Sequence, residues 1–201
     1  MSDSGVDLSR RRFLTTTTTV VGGVGMAGAA WMFIDYMNKS ERTLSMGAPV
    51  RVDISKLQLG QLMVVNWRNM PVWVLRRTPD MLKELGSQDA QLRDPASAVE
   101  QQPSNIKGPH RSIKPEYLVV IGLCTHLGCQ PKRINKDMTH DLGANWLGGF
   151  FCACHGSKFD FAGRVYSGVP APTNLKVPPH RYLDADGLSL IIGEDTGVTH
   201  V

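Results

Sequence analysis

A chain of 201 residues, 42 % of them hydrophobic, is long enough for one compact domain and a further segment. Its 22 basic and 18 acidic side chains nearly balance, and three of the basic ones, Arg10 to Arg12, stand together near the N-terminus. With no Lys/Arg run beside aromatic residues the composition excludes a nucleic-acid partner, and the basic residues outside that cluster read as solvated surface.

The first element is N-terminal. Ser9-Arg10-Arg11-Arg12-Phe13-Leu14 resembles a twin-arginine export signal, whose usual form is Ser-Arg-Arg-x-Phe-Leu, with Arg10 and Arg11 as the pair. From Phe13 to Phe33 no residue is charged, and a helix of that length covers roughly 30 Å, one hydrocarbon core. The stretch is only mildly apolar, being rich in Thr15 to Thr19 and in Gly22, Gly23, Gly25 and Gly28. Ala27-Gly28-Ala29 would suit a signal peptidase, so a cleaved leader is the competing reading. Retained, the segment divides the chain into a cytoplasmic N-terminus (1–12), a transmembrane helix (13–34), a flexible neck (35–49) and a head (50–201). Arg10 to Arg12 inside put the head in the periplasm by the positive-inside rule, on a single pass through the inner membrane. Ser45, Gly47 and Pro49 argue for flexible chain at the end of the neck.

The head reads as strands. Val50 to Ile54 alternates, and Gln61 to Trp67 with Pro71 to Arg77 form two strands around an Arg68-Asn69 turn. Thr78-Pro79-Asp80 starts a helix that Gly86 stops, with Met81, Leu82 and Leu85 as its apolar side. Ser87 to Lys114 is polar loop with a short helical piece. Leu118 to Leu123, continuously apolar, is a buried strand that delivers Cys124. Asn135 to Asn145 is a surface excursion, Phe159 to Tyr166 a hairpin turning at Ala162-Gly163, and Leu188 to Ile192 the closing strand. The expected fold class is an all-β head, sheet packed on sheet with two inserted loops, on a single N-terminal transmembrane helix. His110, His140, His180 and His200 lie in polar or Pro-rich surroundings and are expected to be exposed, not ligands.

All four cysteines and two of the six histidines fall in two boxes, Cys124-Thr125-His126-Leu127-Gly128-Cys129 and Cys152-Ala153-Cys154-His155-Gly156-Ser157. Each offers a Cys and a His close together plus one further Cys. Zinc accepts two Cys and two His, but Cys-x-His is tighter than the Cys-x2–4-Cys of zinc knuckles, and Cys129 and Cys154 would have no task. A two-iron centre employs all six residues: two thiolates on one iron, two imidazoles on the other, and two cysteines free to join the loops.

At these boxes the sequence resembles the Rieske iron–sulfur proteins. The resemblance implies one [2Fe-2S] cluster, with Cys124 and Cys152 on the buried iron, His126 and His155 on the outer iron, and a Cys129–Cys154 disulfide, within an inserted cluster-binding subdomain of about 122–173. An oxidising compartment permits that disulfide, and a cluster assembled in the cytoplasm needs a translocase that carries folded cargo, so both agree with the export signal. Gly168-Val169-Pro170-Ala171-Pro172 matches the family's stiff Pro loop, a third wall beside the cluster. The extra cysteine pair points to the quinol-oxidising branch or to arsenite oxidase small subunits.

Mixed ligation has a chemical consequence. Two ferric ions, two sulfides and two thiolates sum to zero charge, so an electron is easier to add than to an all-cysteine cluster: about −150 to +300 mV against about −400 mV. An imidazole bound through one nitrogen keeps an ionisable N–H on the other, so electron and proton can arrive together. Gly128 and Gly156 allow backbone N–H groups near sulfide, and the Ser157 hydroxyl is placed to donate to the cluster. Phe159 departs from the Tyr of many high-potential relatives. Phe159→Tyr is therefore expected to raise the midpoint potential and Ser157→Ala to lower it.

Arg76-Arg77-Thr78-Pro79 and Leu92-Arg93-Asp94-Pro95 look like segments of the bc1 Rieske head. That resemblance implies a subunit of a quinol:cytochrome c reductase, active only within a complex expected to be dimeric. Cytochrome b would form the quinol site, ubiquinol would be the reductant, cytochrome c1 the acceptor, and His155 the group that meets quinol. The alternative is a Rieske small subunit of an arsenite-oxidase-type molybdoenzyme.

Overall fold

The computed structural model describes residues 7–38, 47–136, 142–143, 145–184 and 186–194. The chain divides into two units, Met1–Ser45 and Met46–Val201.

In the first unit, helix α1 runs over Leu8–Tyr36, with Asp7 as its N-cap accepting from the Ser9 and Arg10 amides at 3.0 and 3.2 Å. It therefore begins ahead of the expected 13–34 and includes the arginine pair in its first turn. Its 29 residues correspond to about 44 Å, and it is apolar enough to cross a membrane. Three of the five threonines do not oppose this. Thr15, Thr18 and Thr19 each return a hydroxyl to a carbonyl one turn back, at Arg11, Leu14 and Thr15, over 2.8 to 3.0 Å, so no side-chain donor of theirs is left open. Of the expected neck, 39–46 lie outside the described residues.

In the second unit the strands are β1 (Val50–Asp53), β2 (Leu62–Trp67), β3 (Met70–Arg76), β4 (Tyr117–Ile121), β5 (Lys132–Ile134), β6 (Gly149–Cys152), β7 (Ser157–Phe159), β8 (His180–Tyr182) and β9 (Ser189–Ile192). They form three antiparallel sheets, β1-β9-β8, β2-β3-β4 and β5-β6-β7. Arg68 and Asn69 both take positive φ, 50° and 59°, the geometry of a two-residue hairpin turn whose twist suits the flanking strands. Helix α2 (Pro79–Leu85) has Thr78 as N-cap, accepting from the Met81 amide at 3.3 Å, and Gly86 as C-cap.

The continuous apolar runs of β3 and β4 follow from their position in the middle of the head. Trp73, Leu75, Leu118 and Val120 face a core shared with Phe150, Phe159 and Cys152 of the β5-β6-β7 sheet. Val72, Val74, Val119 and Ile121 face the opposite core, with Val52, Leu190 and Ile192 of β1 and β9. Both faces are covered, so alternation between polar and apolar disappears. Just beyond β4, a Cβ on Gly122 would lie 2.2 Å from the Trp73 ring, so only glycine lets the chain pass this indole on its way to Cys124.

Two expectations need correction. His180 is buried, 1 % exposed, because β8 pairs with β9 and turns this ring inward; the neighbouring prolines had suggested surface. Its Nδ1 donates to the Pro178 carbonyl at 2.9 Å, and Nε2 has no partner among the described residues. His110 is half-buried, and His140 and His200 lie outside the described residues. Burial holds the His180 pKa below its ordinary 6.5, against a smaller opposing effect of the Pro178 bond. Below about pH 6.5 the unfolded chain takes up a proton that the folded head refuses, so this residue costs stability as pH falls from there through the folded pKa. His180→Phe is expected to flatten the loss of denaturant midpoint between pH 7.5 and 5.5; an unchanged slope would show that the ring does not titrate on unfolding.

The second correction concerns Arg77, Arg111 and Arg164, which are 1 %, 0 % and 0 % exposed and are not solvated surface. They gather backbone carbonyls around the hairpin that follows β7. Arg77 donates to the Phe161 carbonyl at 3.2 Å, Arg111 to those of Ala162 and Leu175 at 3.1 and 2.7 Å, and Arg164 to that of Leu85 at 2.6 Å. Burial pulls Arg77 and Arg111 down to about 10, still far above neutral pH, so both stay charged.

Candidate metal centre

The two boxes fold as matching turns. Strand β4 ends three residues before Cys124, and Cys152 is the last residue of β6, so each sheet delivers one buried cysteine to a loop. The Gly128 amide donates to the Cys124 carbonyl and the Gly156 amide to the Cys152 carbonyl, both at 2.9 Å. Gly128 and Gly156 take φ of 81° and 80°, and a Cβ on either would meet nothing within 4 Å. Backbone conformation, not crowding, is what calls for glycine here. Their own N–H groups close the turns, so any amide that nears a cluster sulfur belongs to a neighbouring residue.

Cys129 and Cys154 are joined as a disulfide that ties the second halves of the two loops, with Cα atoms 6.7 Å apart. Cys124 and Cys152 remain as free, buried thiols. The Sγ atoms of Cys129, Cys152 and Cys154 lie within 4.8 Å of one another, but two of the three are bonded together and that trio is no ligand set. On the outer side, the His126 and His155 rings stand 4.8 Å apart between centroids at 89°, His126 half-buried and His155 exposed. Burial pushes the Cys152 thiol up, and Cys124 beside it adds to the effect, so without a metal the Cys152 thiol keeps its proton and releases it on metal binding.

Two soft sulfur donors inside and two imidazoles outside form a graded donor set. It fits a two-iron cluster whose inner iron takes thiolates and whose outer iron takes nitrogens. The Pro loop closes the third side. The Thr125 hydroxyl donates to the Thr173 carbonyl at 2.7 Å, and the Ala171 amide donates to Ser157 Oγ at 3.0 Å. Ser157 is fully buried and sits opposite Cys152 across β6 and β7. Because its oxygen already accepts from Ala171, its one proton remains to be donated, and no described residue takes it. Phe159, fully buried opposite Phe150, has no such proton to give.

Beneath the second loop, Asp160 and Arg164 form an ion pair of 2.8 Å with both side chains at 0 % exposure. The other Asp160 oxygen accepts from the Ala162 and Arg164 amides at 2.9 and 2.7 Å. The four-residue spacing of Asp160 and Arg164 was a visible signal of this pair; Arg77 and Arg111 carry none, since the hairpin carbonyls they serve, those of Phe161 and Ala162, lie 84 and 51 positions away along the chain.

Two family models match the chain: "Ubiquitinol-cytochrome C reductase Fe-S subunit TAT signal" over residues 1–40 and "Rieske [2Fe-2S] domain" over residues 87–179. The "Ubiquinol-cytochrome c reductase iron-sulfur subunit" of Allochromatium vinosum is 54 % identical over 197 residues, 98 % of this chain and 94 % of that protein. The chain belongs to this family of Rieske iron–sulfur subunits. The protein of the same name from Blastochloris viridis is 41 % identical over 91 % of this chain and 93 % of its own length. Among solved structures, one titled "Hyperthermophilic respiratory Complex III" aligns at 23 % identity over 88 % of this chain and 98 % of that one, with a TM-score of 0.46. As a Rieske subunit the chain has an all-β head, an N-terminal apolar helix under a twin-arginine signal, and a [2Fe-2S] cluster as its cofactor. The signal and the helix fit a membrane-anchored subunit with an exported head.

Proposed function

We propose that this Rieske subunit oxidises ubiquinol at a site formed with cytochrome b, taking one electron and one proton, and passes the electron to cytochrome c1. When bound, the cluster supplies a one-electron acceptor of high potential. Cys124 and Cys152 hold its inner iron, His126 and His155 its outer iron, and the Cys129–Cys154 disulfide keeps the two loops together.

One observation carries this reading: both thiols are buried while the His155 ring is exposed beside His126. An imidazole bound through one nitrogen leaves the other facing outward, where a quinol hydroxyl can donate to it; reduction makes that nitrogen more basic, which couples proton to electron. Leu127, 71 % exposed, offers an apolar side chain next to His126 that suits docking against a membrane partner. Ser157 donates its remaining proton toward the centre and raises the potential. Ser157→Ala is expected to lower the midpoint while leaving the number of iron atoms unchanged, and Phe159→Tyr to raise it. Redox titration of the full-length chain checks both, and two unmoved midpoints would remove the hydrogen-bond account.

The helix anchors the subunit in the inner membrane with the head in the periplasm. The neck at 35–49 lets the head alternate between cytochrome b and cytochrome c1 within a dimeric complex. EPR of the reduced protein is expected to average a g of about 1.9, the mark of mixed nitrogen and sulfur ligation. Stigmatellin, an inhibitor of the quinol site, is expected to shift that signal only when cytochrome b is present. A shift without cytochrome b, or none with it, would argue against the shared quinol site.

A further inference from the structure

We propose that Arg93 is a positioning residue for the redox centre, acting through the Pro loop on the hydroxyl of Ser157. The inference rests on the ligand assignment above, since the Ser157 proton matters only if Cys152, opposite it, holds iron.

Arg93 belongs to the long loop between α2 and β4, far from both boxes in sequence. Its backbone is fixed against the hairpin, with its amide donating to the Val165 carbonyl at 2.9 Å. From there Nη2 reaches over and donates to the Val169 carbonyl at 3.0 Å. Two residues on, the Ala171 amide donates to Ser157 Oγ at 3.0 Å.

What connects the two bonds is Pro170. The Val169 carbonyl lies in the peptide plane entering Pro170, and the Ala171 amide lies in the plane leaving it. Two planar peptides joined at one Cα ordinarily have two soft dihedrals between them, but the pyrrolidine ring locks φ. Only ψ of Pro170 separates the carbonyl that Arg93 grips from the amide that Ser157 accepts. Fixing the first plane therefore leaves one rotation by which the Ala171 amide can turn, and the Ser157 hydroxyl, one lone pair engaged by that amide, directs its proton away from it. The grip is charge-assisted and therefore stronger than a neutral bond to the same carbonyl. Without it the Val169 end is released while Thr125 still holds the Thr173 end.

The test is a double-mutant cycle on the full-length chain in detergent, reading the midpoint potential by EPR-monitored titration of wild type, Arg93→Met, Ser157→Ala and the double variant. Arg93 is exposed, so its replacement leaves the core intact, and an unchanged average g verifies the ligands in every variant. Arg93→Met is expected to lower the midpoint. In the Ser157→Ala background the same substitution is expected to move it by less than half as much, because the hydroxyl through which Arg93 acts is gone. Equal shifts in both backgrounds would mean that only the lost charge is felt, and no shift would mean that the loop holds without the grip; either overturns the proposal. A wild-type protein without the mixed-ligand signal would overturn the ligand assignment itself, a result distinct from a normal signal that Arg93→Met leaves in place.

Discussion

Arg164→Met is expected to destabilise the head by about 3–5 kcal/mol, the cost of breaking a buried ion pair from one side. The side chain is at 0 % exposure and serves four acceptors: Asp160 Oδ2 and Asp89 Oδ1 at 2.8 Å each, the Leu85 carbonyl at 2.6 Å and the Pro95 carbonyl at 3.4 Å. Methionine fills similar space without charge or donors, so cavity formation is a minor part of the loss. What remains is the Asp160 carboxylate, also at 0 % exposure, with one oxygen still bonded to two amides and the other stripped of its hydrogen-bond donor. Against a total stability of about 5–15 kcal/mol this is a large fraction. Adding Asp160→Asn removes the stranded charge, so the double variant is expected to lose less than the sum of the two single losses. Denaturant midpoints of the four proteins check this, and a single-variant loss under about 1 kcal/mol would show that the hairpin stands without its guanidinium. The consequence for the site follows from connectivity, since β7, which carries Ser157 and Phe159, runs directly into Asp160.

Beside this pair, Arg77 and Arg111 mark where sequence reading stops. Elements whose cause is local were legible: the Arg68-Asn69 turn, the Thr78 cap with Pro79 behind it, the continuously apolar strand before Cys124, and the hairpin closed at Gly163, where φ is 71°. The two boxes were legible because six ligand-type residues at short spacings have few uses. Strands β5 and β8, of three residues each, are too short to show a period. Arg77 and Arg111 looked like ordinary surface charges because nothing near them in the chain tells of the carbonyls they satisfy. His180 was misjudged for a related reason: its prolines describe the backbone before the strand, whereas its burial is set by pairing with Ile192. In each case the deciding partner is remote, and a single sequence carries no record of it.

His155→Cys is expected to abolish quinol oxidation even where iron is retained. One thiolate in place of a neutral imidazole adds a negative charge to the oxidised centre, so the midpoint should fall by on the order of a few hundred mV, toward the about −400 mV of all-thiolate clusters. The fall alone would remove the driving force for taking an electron from quinol. His126→Cys is expected to lower the midpoint by a similar amount, because it makes the same exchange of a neutral ring for a thiolate. The two variants differ in geometry, because His155 is exposed and His126 half-buried. If His155 is the ring that quinol meets, then in the His126→Cys complex stigmatellin should still perturb the EPR signal, whereas in His155→Cys it should not. Turnover retained in His155→Cys, or a stigmatellin response in that variant equal to wild type, would move the point of contact to another residue.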